Sequence, residues 1–120
     1  MNDKLVTITH LKERVDKFLI ERDWHQFHSP KTDVMGLSVE AGELMELFLY
    51  TQNREQELQV LQNKQEQVKD ELADVLTWIL IFAQLNDIDL AQAFESKLKK
   101  TEAKYPVEKC KGLAKKYTEL

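Results

Sequence analysis

Cysteine, glycine and proline are all scarce in this 120-residue chain, at one, three and two residues. The single Cys110 excludes an internal disulfide, and no other cysteine offers metal-site spacing. A reducing, cytoplasmic setting is the expectation. So few turn-forming residues argue against a many-stranded sheet and for long helices with short connections. Met1 to His10 contains no apolar signal core, and the longest apolar run, Val75 to Ala83, is too short to span a bilayer. Excess positive charge is missing too. The formal net charge of -4 argues against a general nucleic-acid binder. The length fits one domain, expected to be soluble and to have no membrane partner.

Positive charge is absent in a more particular place as well. From Val34 to Tyr50 the only charged residues are Glu40, Glu43 and Glu46, and from Glu71 to Leu85 they are Glu71 and Asp74. Both stretches are otherwise apolar and helical in character. Residues three apart share a helix face about one turn from each other. Each stretch therefore presents a vertical acidic pair with no Lys or Arg to compensate it. Two carboxylates ~5 Å apart repel by roughly 3 kcal/mol at an effective dielectric of about 20. Protons or a cation must offset that repulsion, and a hard divalent ion with oxygen ligands is the natural candidate.

The remaining pattern is helical throughout. A first amphipathic helix is expected over about Thr9 to Asp23, with Thr9 as N-cap and Leu11, Val15, Phe18 and Leu19 as its apolar stripe. The cluster Trp24-His25-Gln26-Phe27-His28 marks a boundary. Ser29 suits an N-cap and Pro30 a first helical position, opening a second helix to about Thr51 that is apolar on nearly all sides. Residues 52 to 70 are rich in Gln, Glu and Lys and read as a partly helical surface connection. A third helix covers about Val68 to Asn86. Asp89 and Gln92 resemble a capping box for a fourth, which ends near Lys104 ahead of Pro106. A helical domain over residues 1–106 and a basic, extended or mobile tail over 107–120 complete the expected organisation.

If helices two and three pack antiparallel, Glu40, Glu43, Glu71 and Asp74 face one cavity, the way bundle cores build metal sites. Carboxylates without imidazole suggest Mg²⁺, or Mn²⁺ in its place, and phosphate chemistry. A di-iron centre needs Glu-x-x-His on two helices, and neither apolar helix has a His. Glu46 extends the first stripe as a further ligand, a general base or a surface acid. Tyr50 and Trp78 follow the acids by four residues and, with Trp24 and His28, are core residues or the walls of a flat slot suited to a nucleobase. Lys31, Lys97, Lys100 and Lys104 form a solvated basic face or neutralise a polyphosphate.

Taken together, these residues resemble the all-α nucleoside-triphosphate pyrophosphatases of the MazG-like group, and among them the dCTP pyrophosphatase branch. The resemblance runs through Glu21-Arg22-Asp23-Trp24-His25-Gln26-Phe27-His28-x-Pro30, then Glu40-x-Gly42-Glu43-Leu44-x-Glu46, then Glu71-Leu72-x-Asp74, and ends with Ser96-Lys97, Tyr105-Pro106 and Lys116-Tyr117-Thr118-Glu119-Leu120. It implies an all-α bundle of four to five helices completed by oligomerisation as a homodimer or a homotetramer. It implies Mg²⁺-dependent cleavage of a nucleoside triphosphate, dCTP foremost, to the monophosphate and pyrophosphate, as nucleotide-pool housekeeping. A dUTP-directed hydrolase and a non-catalytic helical interaction module are the alternatives. Glu40, Glu43, Glu71 and Asp74 fall on metal-ligand positions. Trp24, Gln26, His28, Tyr50 and Trp78 fall where base and sugar are held, and Lys97, Lys104 and Tyr105 where phosphates are. Lys31 joins the substrate set. Tyr50 replaces a Trp of the animal enzymes, Trp78 a Tyr, Val15 a His and Thr101 an Asn, which bears on base preference.

Overall fold

The computed structural model describes all residues from Met1 to Leu120, and they form two compact units, Met1–Asp87 and Ile88–Leu120. Every regular element is helical, as the shortage of turn residues predicts. In the first unit, α1 (Ile8–Glu21), α2 (Pro30–Glu46), α3 (Arg54–Asn63) and α4 (Gln65–Leu85) follow in order. The second unit holds α5 (Leu90–Lys104) and the single turn α6 (Val107–Cys110). Short 3-10 segments cover His25–Phe27 and Tyr117–Glu119.

The caps explain the boundaries. Thr7, not Thr9, caps α1: its extended backbone lets Oγ1 accept from the His10 amide at 3.1 Å. At the other end the Trp24 amide donates to the Leu19 carbonyl and the Asp23 amide to that of Ile20. This paired closure needs a left-handed residue, and Asp23 supplies it at φ 54. Ser29 caps α2 as expected, and Pro30 occupies its first turn. That helix ends five residues earlier than the sequence suggests. Beyond Glu46 the amides of Leu47, Phe48, Leu49 and Thr51 each bond three residues back, so the chain tightens into turns. The polar connection is a helix in its own right. Asn53 accepts from the Gln56 amide, while the Gln56 side chain accepts from the Gln52 amide, and the helix breaks at Lys64. Asp89 caps α5 by accepting from the Gln92 amide.

The tail is not extended throughout. Tyr117 turns back toward Tyr105, ring edge to ring face at 6.0 Å, and its amide donates to the Tyr105 hydroxyl. The Lys104 ammonium lies over the Tyr117 ring at 4.8 Å.

In the first unit, α4 packs against α1, α2 and α3. Its core is small: Leu19 from α1 and Leu80, Ile81 and Ala83 from α4 are the buried apolar residues. The only buried charged side chain is Asp33. Residue 36 of α2 meets residue 78 of α4, and residue 40 meets residues 71 and 74, so the two helices run antiparallel. The apolar girth of α2 is not matched by burial. Val34, Met35, Val39 and Met45, with Leu72 and Leu76 of α4, are between 45% and 64% exposed.

Candidate metal centre

The antiparallel pairing sets the acids of α2 against those of α4. One carboxylate oxygen each from Glu40, Glu43 and Glu71 lies within 4.8 Å of the others. Asp74 is outside this trio and exposed, yet its charge reaches Glu40. Glu40 Oε2 and Glu71 Oε2 are buried and have no hydrogen-bond partner. Burial pushes the Glu40 carboxyl above its ordinary value of 4.5, and a hydrogen bond and charge repulsion from Glu43 add to the rise, as does Asp74. Hydrogen bonding from the Trp78 indole opposes it. No cationic side chain forms an ion pair with any of the four acids. Orphaned buried oxygens on an all-carboxylate set fit a hard, oxygen-seeking divalent ion, and fit a thiophilic one poorly.

The other expected site residues fall into separate places. Trp78 lies against Gly36 and next to His28, with ring centroids 5.7 Å apart. Trp24 instead packs edge-on against Phe18 at 5.6 Å. Gln26 is occupied locally, its amide donating to the Asp23 carbonyl and carboxylate. Lys31 is exposed in the first turn of α2. Glu46 is exposed and shares with Tyr50 a cavity of about 300 Å³ whose far wall is Gln56, Gln59, Asn63 and Lys64. Tyr50 is 89% exposed. The tightened winding after Glu46 takes it off the face it would share with that residue in a continued α-helix.

In the second unit, Lys97, Thr101 and Lys104 lie on α5, and Tyr105 directly follows it. The Thr101 hydroxyl donates to the Lys97 carbonyl within the helix.

Two residues near the acids escape the sequence reading. Asp33 reads as a routine acid in a helix N-terminal turn. Its burial and its 2.6 Å contact with His28 Nδ1 carry no sequence signal. Gly36 does carry one, being a glycine inside an apolar helix where alanine is favoured.

A family model described as the MazG-like family matches residues 35–120. dCTP pyrophosphatase 1 of Rattus norvegicus is 36% identical over 115 residues, spanning 95% of this chain and 68% of the relative. The Homo sapiens protein of the same name is 33% identical over the same shares of each chain. Among solved structures, a pyrophosphatase from Archaeoglobus fulgidus superposes with a TM-score of 0.81 at 30% identity, covering 88% of this chain and 98% of that one. Motif, antiparallel acid pairs and overall likeness agree, and this chain belongs to the MazG-like family.

Proposed function

We propose that this chain is a nucleoside-triphosphate pyrophosphatase that cleaves dCTP to dCMP and pyrophosphate. The carrying observation is the trio Glu40, Glu43 and Glu71, whose oxygens converge within 4.8 Å without a cationic partner. Relatives named dCTP pyrophosphatase 1 supply the substrate.

Glu40, Glu43 and Glu71, with Asp74 beside them, would hold Mg²⁺, for which Mn²⁺ can substitute. The cation supplies positive charge for the triphosphate oxygens and lowers the proton affinity of water. The rest falls to the chain's own residues. A carboxylate of the cluster takes the proton from a water as its oxygen bonds to the α-phosphorus. The bond from that phosphorus to the bridging oxygen breaks, and pyrophosphate leaves with the electron pair. Glu46 would join the acids as a further ligand or a general base, and Trp24, Gln26, His28, Lys31, Tyr50, Trp78, Lys97, Thr101, Lys104 and Tyr105 would contact the substrate.

The same reading includes a second copy of the chain. The exposed apolar residues of α2 and α4 are too many for a chain that stays single, and a homodimer or homotetramer would cover them. No helix is long and apolar enough to cross a membrane, and a cytoplasmic role in clearing surplus or damaged nucleotides completes the proposal.

The purified chain, given Mg²⁺ and each of the eight common nucleoside triphosphates plus 5-methyl-dCTP, is expected to release monophosphate and pyrophosphate, fastest from a cytosine deoxynucleotide. Inorganic phosphate as the first product contradicts the proposed bond, and dUTP far ahead of dCTP contradicts the base. Light scattering on a sizing column gives the oligomeric state, and a monomer under assay conditions contradicts the second copy.

A further inference from the structure

We propose that Asp33 is a positioning residue for the metal centre: its buried carboxylate holds His28, and the His28 ring braces Trp78 against Gly36 beside the acids. The inference rests on the reading of Glu40, Glu43 and Glu71 as cation ligands.

Asp33 is 1% exposed in a molecule that buries only four other side chains. A charge in that position is costly unless it is paired and hydrogen-bonded. Its one partner is the imidazole. Asp33 Oδ1 lies 2.6 Å from His28 Nδ1, and Oδ2 is buried with no partner at all. An ionised carboxylate only accepts, so Nδ1 carries the proton and the ring is fixed in both tautomer and tilt. That fixed ring meets the Trp78 indole at 39° with centroids 5.7 Å apart.

The same indole also meets bare backbone at Gly36. A Cβ at residue 36 would stand 2.5 to 2.7 Å from three atoms of the Trp78 ring system. The indole therefore has both His28 and Gly36 as close neighbours, and the backbone at Gly36 leaves it no room to move that way. Gly36 is one turn before Glu40, and Trp78 one turn after Asp74, so this brace closes the α2–α4 gap directly beside the acids. Losing a group that holds a metal ligand in place typically costs about 10- to 100-fold in metal affinity. A mere local staple, tying the turn at His25–Phe27 to the start of α2, would affect folding and leave metal binding untouched.

The test titrates the full chain with Mn²⁺ alone, reading the free-ion signal by electron paramagnetic resonance, alongside thermal melts. Asp33→Leu keeps the branched shape, with bulkier methyl groups in place of the oxygens, and removes the acceptor, and should weaken Mn²⁺ binding about tenfold. Asp33→Asn keeps an accepting oxygen and should stay within about threefold of the parent. Gly36→Ala attacks the brace at its backbone contact with the His28–Asp33 pair intact, and should also weaken binding about tenfold. If Asp33→Leu does not fold, Gly36→Ala decides. Parental Mn²⁺ affinity in a folded Asp33→Leu or Gly36→Ala overturns the proposal while Glu43→Gln still loses the ion. A parent chain that binds no Mn²⁺ overturns the metal reading itself, and this proposal with it.

Discussion

Helix α2 carries acids in two places that face opposite electrostatic situations. Near its start, Asp33 is buried and its charge is met from within the chain by His28 at 2.6 Å. Two turns on, Glu40 is half-buried and Glu43 exposed, and they meet further acids, Glu71 and Asp74, across the gap. The first arrangement is closed: removing either member leaves an unsatisfied group. The second is open, because its members repel and, although each place has buried oxygens without a partner, only the second lacks any imidazole or cationic side chain facing it. A fold that pairs one acid with a cation-forming side chain of its own and leaves a cluster of four acids beside it without any such partner has reserved the second place for something brought in from outside.

The largest expected effect falls on the open site. Glu43→Gln and Glu71→Gln should each lower pyrophosphate release by about a hundredfold or more, by analogy with losing one preorganised charged group from an active site. Both variants should melt no lower than the parent in the absence of metal, since each removes a repelling charge. A clear drop in melting temperature would mean that these acids hold the fold together, and the contrast between the two places would collapse.

The closed site should respond in the opposite sense. His28→Ala leaves Asp33 buried without its partner, and should cost about 3 kcal/mol of stability in urea unfolding. A loss under about 1 kcal/mol would mean that water reaches Asp33 and that the pair is closer to a surface interaction.

The smallest effect is a pH dependence at the open site. The Glu40 carboxyl is raised above 4.5 in the folded chain. The folded state then holds more protons than the unfolded one just above that pH, so this group's contribution to stability declines as pH rises through the raised value. Metal-free melts of the parent and of Glu40→Gln should therefore diverge upward of pH 4.5, the variant becoming the more stable. Saturating Mn²⁺ should reverse the order near neutral pH. Parallel curves would deny the crowding of charge on which the open site depends.

Much of this contrast is legible in the residues themselves. The acid pairs are visible because helical spacing and an otherwise uncharged stretch leave no other compensating group, and Ser29-Pro30 announces the start of α2. The closed site is not visible. Asp33 follows His28 by five residues across a cap, and only the folding of the 3-10 turn against α2 brings Nδ1 to the carboxylate. The end of α2 is missed for a related reason. Leu47-Phe48-Leu49 continues the apolar pattern, yet the Thr51 hydroxyl donates to the Phe48 carbonyl and the chain winds tighter there. Thr7 displaces Thr9 as cap because either residue has the right side chain, and backbone conformation alone chooses between them.

The contact between Gly36 and Trp78 has an evolutionary corollary. With 2.5 Å between a would-be methyl group and the indole, positions 36 and 78 divide one fixed volume. A descendant that gains alanine at the first should be viable only after a smaller ring arrives at the second, so the two should drift as a linked pair rather than one at a time. Gly36→Ala combined with Trp78→Tyr recreates such a lineage in a single step.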